Sequence, residues 1–170
     1  MFQEADMLSK PMLKQLNQQI SNELFSAYTY LSMSAYFEDF GLKGCARWMR
    51  MQSNEEIQHM RKQYDYVFDR GGAVILDAIK KPSSNWKSPI SVFEAALKQE
   101  LGVTKDIHKL MDLAVKEKDY KTQNFLQWFI SEQVEEVASI QDIITRLTIA
   151  GKNNAALIML DKQLGERAAE

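Results

Sequence analysis

Seven glycines and three prolines in 170 residues leave most of this chain without a helix breaker, and the few there are act as punctuation. Pro11 follows Ser9, a helix start. Gly41 and Gly44 bracket a short break, Gly71–Gly72 end the next periodic stretch, and Gly151-Lys152-Asn153-Asn154 breaks the chain again. "EKDY" at 117–120 reads as a tight turn with Asp119 as the next cap. "SVFE" at 91–94 reads as a capping box, Ser91 at the N-cap and Glu94 three residues on. The stretch 73–90, with Pro82, Asn85 and Pro89, reads as a long connection. The spacing predicts long helices over about 10–40, 43–70, 91–118 and 120–150, then a short amphipathic one over about 154–165. Each long helix would run roughly 40–45 Å at 1.5 Å per residue. An all-α four-helix bundle follows, with a crossover between its second and third helices.

The bulk composition narrows the class further. The length suits one domain spanning 1–170. A net charge of −2 gives no surplus to drive nucleic-acid binding, so none is expected. The longest apolar run, "AALIML" at 155–160, is too short to span a bilayer. "MFQEADMLSKP" is acidic early and lacks the apolar core of a signal peptide. One cysteine, Cys45, rules out an internal disulfide and a cysteine-based zinc or iron–sulfur site. Cytoplasmic localisation is expected. Cys45 itself reads as a small buried hydrophobe, and the nine methionines as core filling.

Each long helix should carry apolar residues three and four apart along its inner seam. The first seam reads Leu13, Leu16, Ile20, Glu23, Ala27, Tyr30, Ser34, Phe37. The second reads Cys45, Met49, Gln52, Glu56, His59, Gln63, Tyr66, and the third Phe93, Leu97, Glu100, Thr104, Ile107, Met111, Ala114. The fourth gives Leu126, Phe129, Gln133, Glu136, Ile140, Ile143, Leu147. Every seam is interrupted near its middle by a glutamate. Four carboxylates at one height in a low-dielectric core are prohibitively costly unless compensated. Two divalent cations supply the matching four positive charges, and the neutral imidazole of His59 is a ligand type that suits iron. The pattern therefore predicts a two-metal site.

The densest segment is "SNEEIQHM" at 53–60. Glu56 and His59, three apart, share a helix face. Glu55 points about 100° away. His108 sits one position past the seam and reads as a surface residue.

"NELFSAYTY" (22–30), "NEEIQHM" (54–60), "FEAALKQE" (93–100) and "NFLQWFISEQVEE" (124–136) resemble the bacterial non-haem ferritins, in order and at the family's spacing. The resemblance covers nearly the whole chain. It implies a ferritin-like bundle with a short fifth helix around a fourfold axis, Leu157, Leu160 and Leu164 being its buried side. It also implies a homo-oligomeric shell of twenty-four subunits that oxidises Fe2+ with O2 (H2O2 being the other candidate oxidant) and stores a ferric oxyhydroxide. By the same resemblance Glu23, Glu56 and His59 would hold the first iron, and Glu56 would bridge to a second held by Glu100 and Glu136. Gln133 matches a glutamine that lines this site. Tyr30 matches a tyrosine beside it, read either as an electron or hydrogen-bond donor or as an ordinary core tyrosine. Glu55, Glu132 and Glu135 would correspond to a third iron site, with Trp128 on the same side. A solvated acidic face is the other reading of those three.

Rival readings stay close by. A bacterioferritin would carry a second Glu-x-x-His where this chain has Gln133-x-x-Glu136, and a haem-ligating methionine where it has Ile57; no haem is expected. A Dps-like mini-ferritin often has a basic tail, absent from the sequence start here. A non-enzymatic, metal-buffering bundle is the third alternative.

Overall fold

The computed structural model describes residues 7–167. The first six residues, part of the stretch read as lacking a signal peptide, lie outside them. Five helices follow one another: α1 (Lys10–Phe40), α2 (Lys43–Asp69), α3 (Pro89–Glu117), α4 (Tyr120–Ala150) and α5 (Asn154–Gly165). Ser9 caps α1 by accepting from the Met12 N–H, with a proline in the first turn. Gly41, at φ 88°, closes α1 in the left-handed conformation and returns its N–H to the Phe37 and Glu38 carbonyls. Asp119 caps α4 by accepting from the Thr122 N–H at 3.1 Å.

One boundary differs from expectation. Ser88, not Ser91, is the N-cap of α3, which begins at Pro89. Ser88 is extended and accepts from the Ser91 N–H, while the Ser91 hydroxyl oxygen accepts from the Ser88 N–H at 3.0 Å. A proline tolerates the first helical position because that N–H has no intrahelical partner anyway. Pro89 therefore opens the helix instead of belonging to the connection. Among the expected third-seam residues, Leu97, Thr104 and Met111 are only half-buried, while Ala96, Val103 and Leu110 are buried. The buried stripe is broader than a strict seam and is turned toward those positions.

The helix directions explain the crossover. The Ser9 hydroxyl donates to Glu117 at 2.8 Å, joining the start of α1 to the end of α3. Arg70, just past α2, pairs with Asp119 just ahead of α4 at 3.1 Å. Helices α2 and α3 thus run the same way, and the connection must travel the length of the bundle. It is pinned along α1: Asn17 donates to the Ala73 carbonyl at 3.0 Å and accepts from the Ile75 N–H at 2.7 Å. Ser32 donates to the Ser83 carbonyl at 2.6 Å.

The core is divided. One apolar cluster gathers Met33, Phe37, Met49, Phe93 and Ile140. The other gathers Leu16, Ile20, Val67, Ile107 and Leu126. Between them lies a layer of buried polar side chains, so the acids sit at mid-height by virtue of apolar packing on both sides.

Helix α5 docks on the start of α2. The N-cap position of α2, Leu42, supplies no side-chain hydrogen bond; instead the Asp161 carboxylate accepts from the Cys45 N–H at 2.7 Å. The approach is so close that a Cβ on Gly44 would lie 1.7 Å from the Asp161 carbonyl oxygen. Gly44→Ala is therefore expected to displace α5 and cost about 1–3 kcal/mol. Thermal melting together with limited proteolysis of α5 checks this; an unchanged melt with α5 still protected would contradict it.

Candidate metal centre

Four helices each bring one glutamate to the polar layer. Glu23, Glu56 and Glu100 are fully buried, and Glu136 and His59 nearly so. Ligand atoms of Glu23, Glu56 and His59 lie within 4.8 Å of one another, as do those of Glu56, Glu100 and Glu136. Glu56 belongs to both groups. His59 Nδ1 lies 3.4 Å from Glu56 Oε2, and its Nε2 lies 3.6 Å from Glu136 Oε1.

The hydrogen bonds differ from acid to acid. Glu100 is held on both oxygens: the Tyr30 hydroxyl donates to Oε1 at 2.6 Å and Gln133 Nε2 to Oε2 at 3.2 Å. Gln133 also donates to the Glu100 carbonyl. Glu23 accepts on Oε1 alone, from Gln19 Nε2 at 3.0 Å and Gln63 Nε2 at 2.9 Å. With the acids ionised, no donor reaches Glu23 Oε2, either oxygen of Glu56, or Glu136 Oε2. Buried oxygens left without a donor are costly and rare. Their convergence from separate helices is what a cation cluster requires, so the donor set fits two divalent ions.

Electrostatics agree with this geometry. Burial pushes the Glu23 carboxyl up to about 7, with Glu100 adding repulsion. Burial, then the neighbouring carboxylates, hold Glu56 and Glu136 well above the usual carboxylate range. Glu100 is raised by burial and partly relieved by the Tyr30 and Gln133 hydrogen bonds. Burial and mutual repulsion thus favour the protonated forms of Glu56 and Glu136, a cost that nearby positive charge relieves. Burial lowers His59 to about 4, so its imidazole is neutral near pH 7 and ready to donate a lone pair. Burial and the surrounding acids raise the Tyr30 phenol well above 10, which keeps it a hydrogen-bond donor.

The three outward acids are arranged differently. Both oxygens of Glu55 accept from Arg167 Nη2, at 2.7 and 2.9 Å. Arg167 follows α5, also bonds Gln52, and stands over the Trp48 ring. Glu132 is half-buried and groups with His59 and Glu136, while Glu135 is exposed. Among the described residues, Glu55 and Glu135 enter no three-ligand group. Trp128 lies edge-on to His59 at 5.4 Å, with the Lys62 ammonium 4.4 Å from its ring. His108 is exposed, and Cys45 is buried with its thiol raised by burial.

Sequence reasoning overlooked Gln19 and Arg167 altogether and gave Gln63 no role. Gln19 carried a usable signal, since it stands one turn before Glu23 on the same face. Arg167 carried none, because its contact depends on where α5 docks.

Comparison with known proteins agrees with the fold. Residues 13–150 match the family model of the ferritin-like domain. The bacterial non-heme ferritin of Bacteroides fragilis is 42% identical over 161 residues, 95% of this chain and 100% of that protein. A probable bacterial non-heme ferritin-like protein of Haemophilus influenzae is 36% identical, over 94% of this chain and 96% of its own length. An open-pore ferritin from the hyperthermophilic archaeon Archaeoglobus fulgidus superposes with a TM-score of 0.93 at 48% identity, over 95% of this chain and 99% of that one. No helix among the described residues is long and apolar enough to cross a membrane. With its four-helix bundle, long crossover and short fifth helix, the chain belongs to the bacterial non-haem ferritins.

Proposed function

We propose that this ferritin oxidises Fe2+ with O2 at the buried glutamate–histidine layer and stores the ferric product inside a homo-oligomeric shell of twenty-four subunits. Iron storage is supported by family membership. The oxidation step rests on one observation: four buried glutamates, one per helix, converge, and three of them, Glu23, Glu56 and Glu136, carry oxygens with no hydrogen-bond donor. Fe2+ is the substrate here, and no resident haem is invoked.

The chain's residues have distinct tasks in this scheme. Glu23, Glu56 and His59 bind the first Fe2+, and Glu56, Glu100 and Glu136 the second, with Glu56 shared. Binding displaces the protons held on Glu56 and Glu136, so two dications replace protonated acids and the layer reaches charge balance. Each Fe2+ gives up one electron; together the pair reduces O2 to the peroxide level, two protons completing H2O2. Tyr30 and Gln133 hold Glu100 still, which keeps the ligand geometry fixed while the ions change charge. The apolar clusters above and below exclude water.

A third cation is proposed for Glu55, Glu132 and Glu135, on the side where Trp128 lies. Glu55 would have to exchange Arg167 for that cation. Glu132→Ala is expected to change the ratio of iron oxidised to oxygen consumed while sparing rapid binding at the pair. Oxygen-electrode titration beside stopped-flow absorbance reads both quantities, and an unaltered ratio would remove Glu132 from the scheme. The overall function is tested by adding Fe2+ anaerobically, admitting air, and following absorbance with size-exclusion mass. Oxidation within a large shell supports it; a small oligomer or no oxidation overturns it.

A further inference from the structure

We propose that Gln19 and Gln63 are positioning residues for Glu23: they commit one oxygen of its carboxylate and present the other, alone, to the first Fe2+. The inference rests on the oxidation site proposed above. Both glutamines are buried, Gln19 at 2% exposure and Gln63 at 0%. They come from different helices, Gln19 from α1 and Gln63 from α2, yet both donate to the same atom, Glu23 Oε1. An ionised carboxylate oxygen offers about two lone-pair sites. Two amide N–H groups fill them, which leaves Oε1 nothing for a metal. Oε2 has no donor of its own.

Contrast with the neighbouring acids makes the arrangement specific. Glu56 has no amide or hydroxyl donor on either oxygen, as suits a carboxylate shared by two ions. Glu100 has one donor on each oxygen. Only at Glu23 do two donors converge on one oxygen, and the consequence is a ligand restricted to one-point attachment. Chelation through both oxygens would take an extra coordination position on the first ion, a position O2 needs.

Gln19 is held in turn. Its Oε1 accepts from Asn22 Nδ2 at 3.4 Å, and Asn22 also reaches Asp106 of α3 at 3.3 Å. That fixes the amide with its NH2 toward Glu23. Gln63 is held less economically: its carbonyl Oε1 is buried without a hydrogen-bond partner. A buried amide with an unpaired carbonyl is a poor stabilising device. Its position is explained by what its NH2 does to Glu23.

Two variants of the full chain, Gln63→Met and Gln19→Met, each remove one donor at similar side-chain length, and either can decide the matter if the other misfolds. Anaerobic titration with Co2+, which takes iron ligands without reacting with O2 under these conditions, is read by calorimetry and by its d–d absorption. In each variant two Co2+ per subunit are expected, one bound about tenfold more weakly than in the parent. The absorption should also lose intensity as Glu23 becomes free to chelate and the coordination number rises. Melting temperature should hold or rise for Gln63→Met, since an unpaired carbonyl is removed with the amide. Isotherms and spectra matching the parent would overturn the positioning role, and so would a lowered melting temperature with unaltered Co2+ binding. Glu56→Ala separates this from the parent reading. If that variant keeps both Co2+, the two-metal site itself falls; if it loses them while the glutamine variants bind normally, only the positioning role falls.

Discussion

Glu56→Ala is expected to abolish rapid ferrous oxidation, lowering the initial rate by at least about 100-fold, since disturbing groups that only support a metal ligand already costs about 10–100-fold. Glu56 is the one acid common to both ligand groups, so its loss strips both ions of a ligand at once. The bundle should survive. Neither Glu56 oxygen holds an amide or hydroxyl donor, so truncation leaves no such donor stranded, and it removes a carboxyl whose ionisation the core opposes. Glu100→Ala makes the useful contrast. It leaves the buried Tyr30 hydroxyl without its carboxylate, at about 1–3 kcal/mol for a buried group left unpaired, while the Gln133 amide keeps the backbone carbonyl of residue 100 and the Thr104 hydroxyl. Stopped-flow absorbance with oxygen uptake should therefore find both variants slow, and thermal melting should find only Glu100→Ala clearly weakened. A Glu56→Ala protein that oxidises Fe2+ at the parental rate would remove the two-metal assignment.

The second large effect concerns pH. The metal-free protein is expected to lose thermal stability as pH rises from about 5 to about 8, and a redox-inert dication such as Zn2+ to restore it. The sign follows from proton counting. Glu23 titrates at 4.5 when unfolded and at about 7 in the native layer. Between those values the native state binds more protons than the unfolded one, so stability falls as pH climbs through the window. For Glu23 alone the difference corresponds to roughly 3 kcal/mol, on the order of 10 °C in melting temperature for a chain of this size. Glu56, Glu100 and Glu136 shift the same way. His59 acts oppositely: lowered from 6.5 to about 4, it costs stability as pH falls through that range. Four acids outweigh one imidazole, and above about pH 6.5 the imidazole contributes nothing further. Zn2+ is expected to bind the native layer in preference to the unfolded chain, so its stabilisation should grow with pH, because it no longer competes with protons. Calorimetric melts with and without Zn2+ at several pH values check both halves. A melting temperature independent of pH, or no response to Zn2+ near pH 8, would contradict them.

The architecture was legible because its determinants are local. Gly41, Asp119 and Asn153 mark helix ends by their own backbone or side-chain chemistry, and a seam interrupted by a glutamate is visible at a spacing of three and four. The start of α3 was misread for a related reason. Ser88-Pro89 and Ser91-x-x-Glu94 both satisfy a helix-start pattern, and only the observed extended backbone at Ser88 decides between them. Gln63 illustrates the other limit: it stands on α2 and its target, Glu23 Oε1, on α1, so only folding brings the two together. The Arg167–Glu55 and Asp161–Cys45 pairs span more than a hundred positions, and no periodicity encodes a contact of that kind.

The Asp161 contact carries a consequence for biosynthesis. Among the described residues, the side-chain acceptor for the N–H groups opening α2 is Asp161 of α5, which leaves the ribosome after all four long helices. Until then, a nascent bundle already able to bury most of its apolar surface still has an unfinished helix end, beside a glycine notch at Gly44 that only α5 fills. Completion of the subunit is thereby tied to completion of translation as far as α5. A chain that stops short of Asp161 would leave the start of α2 without this acceptor.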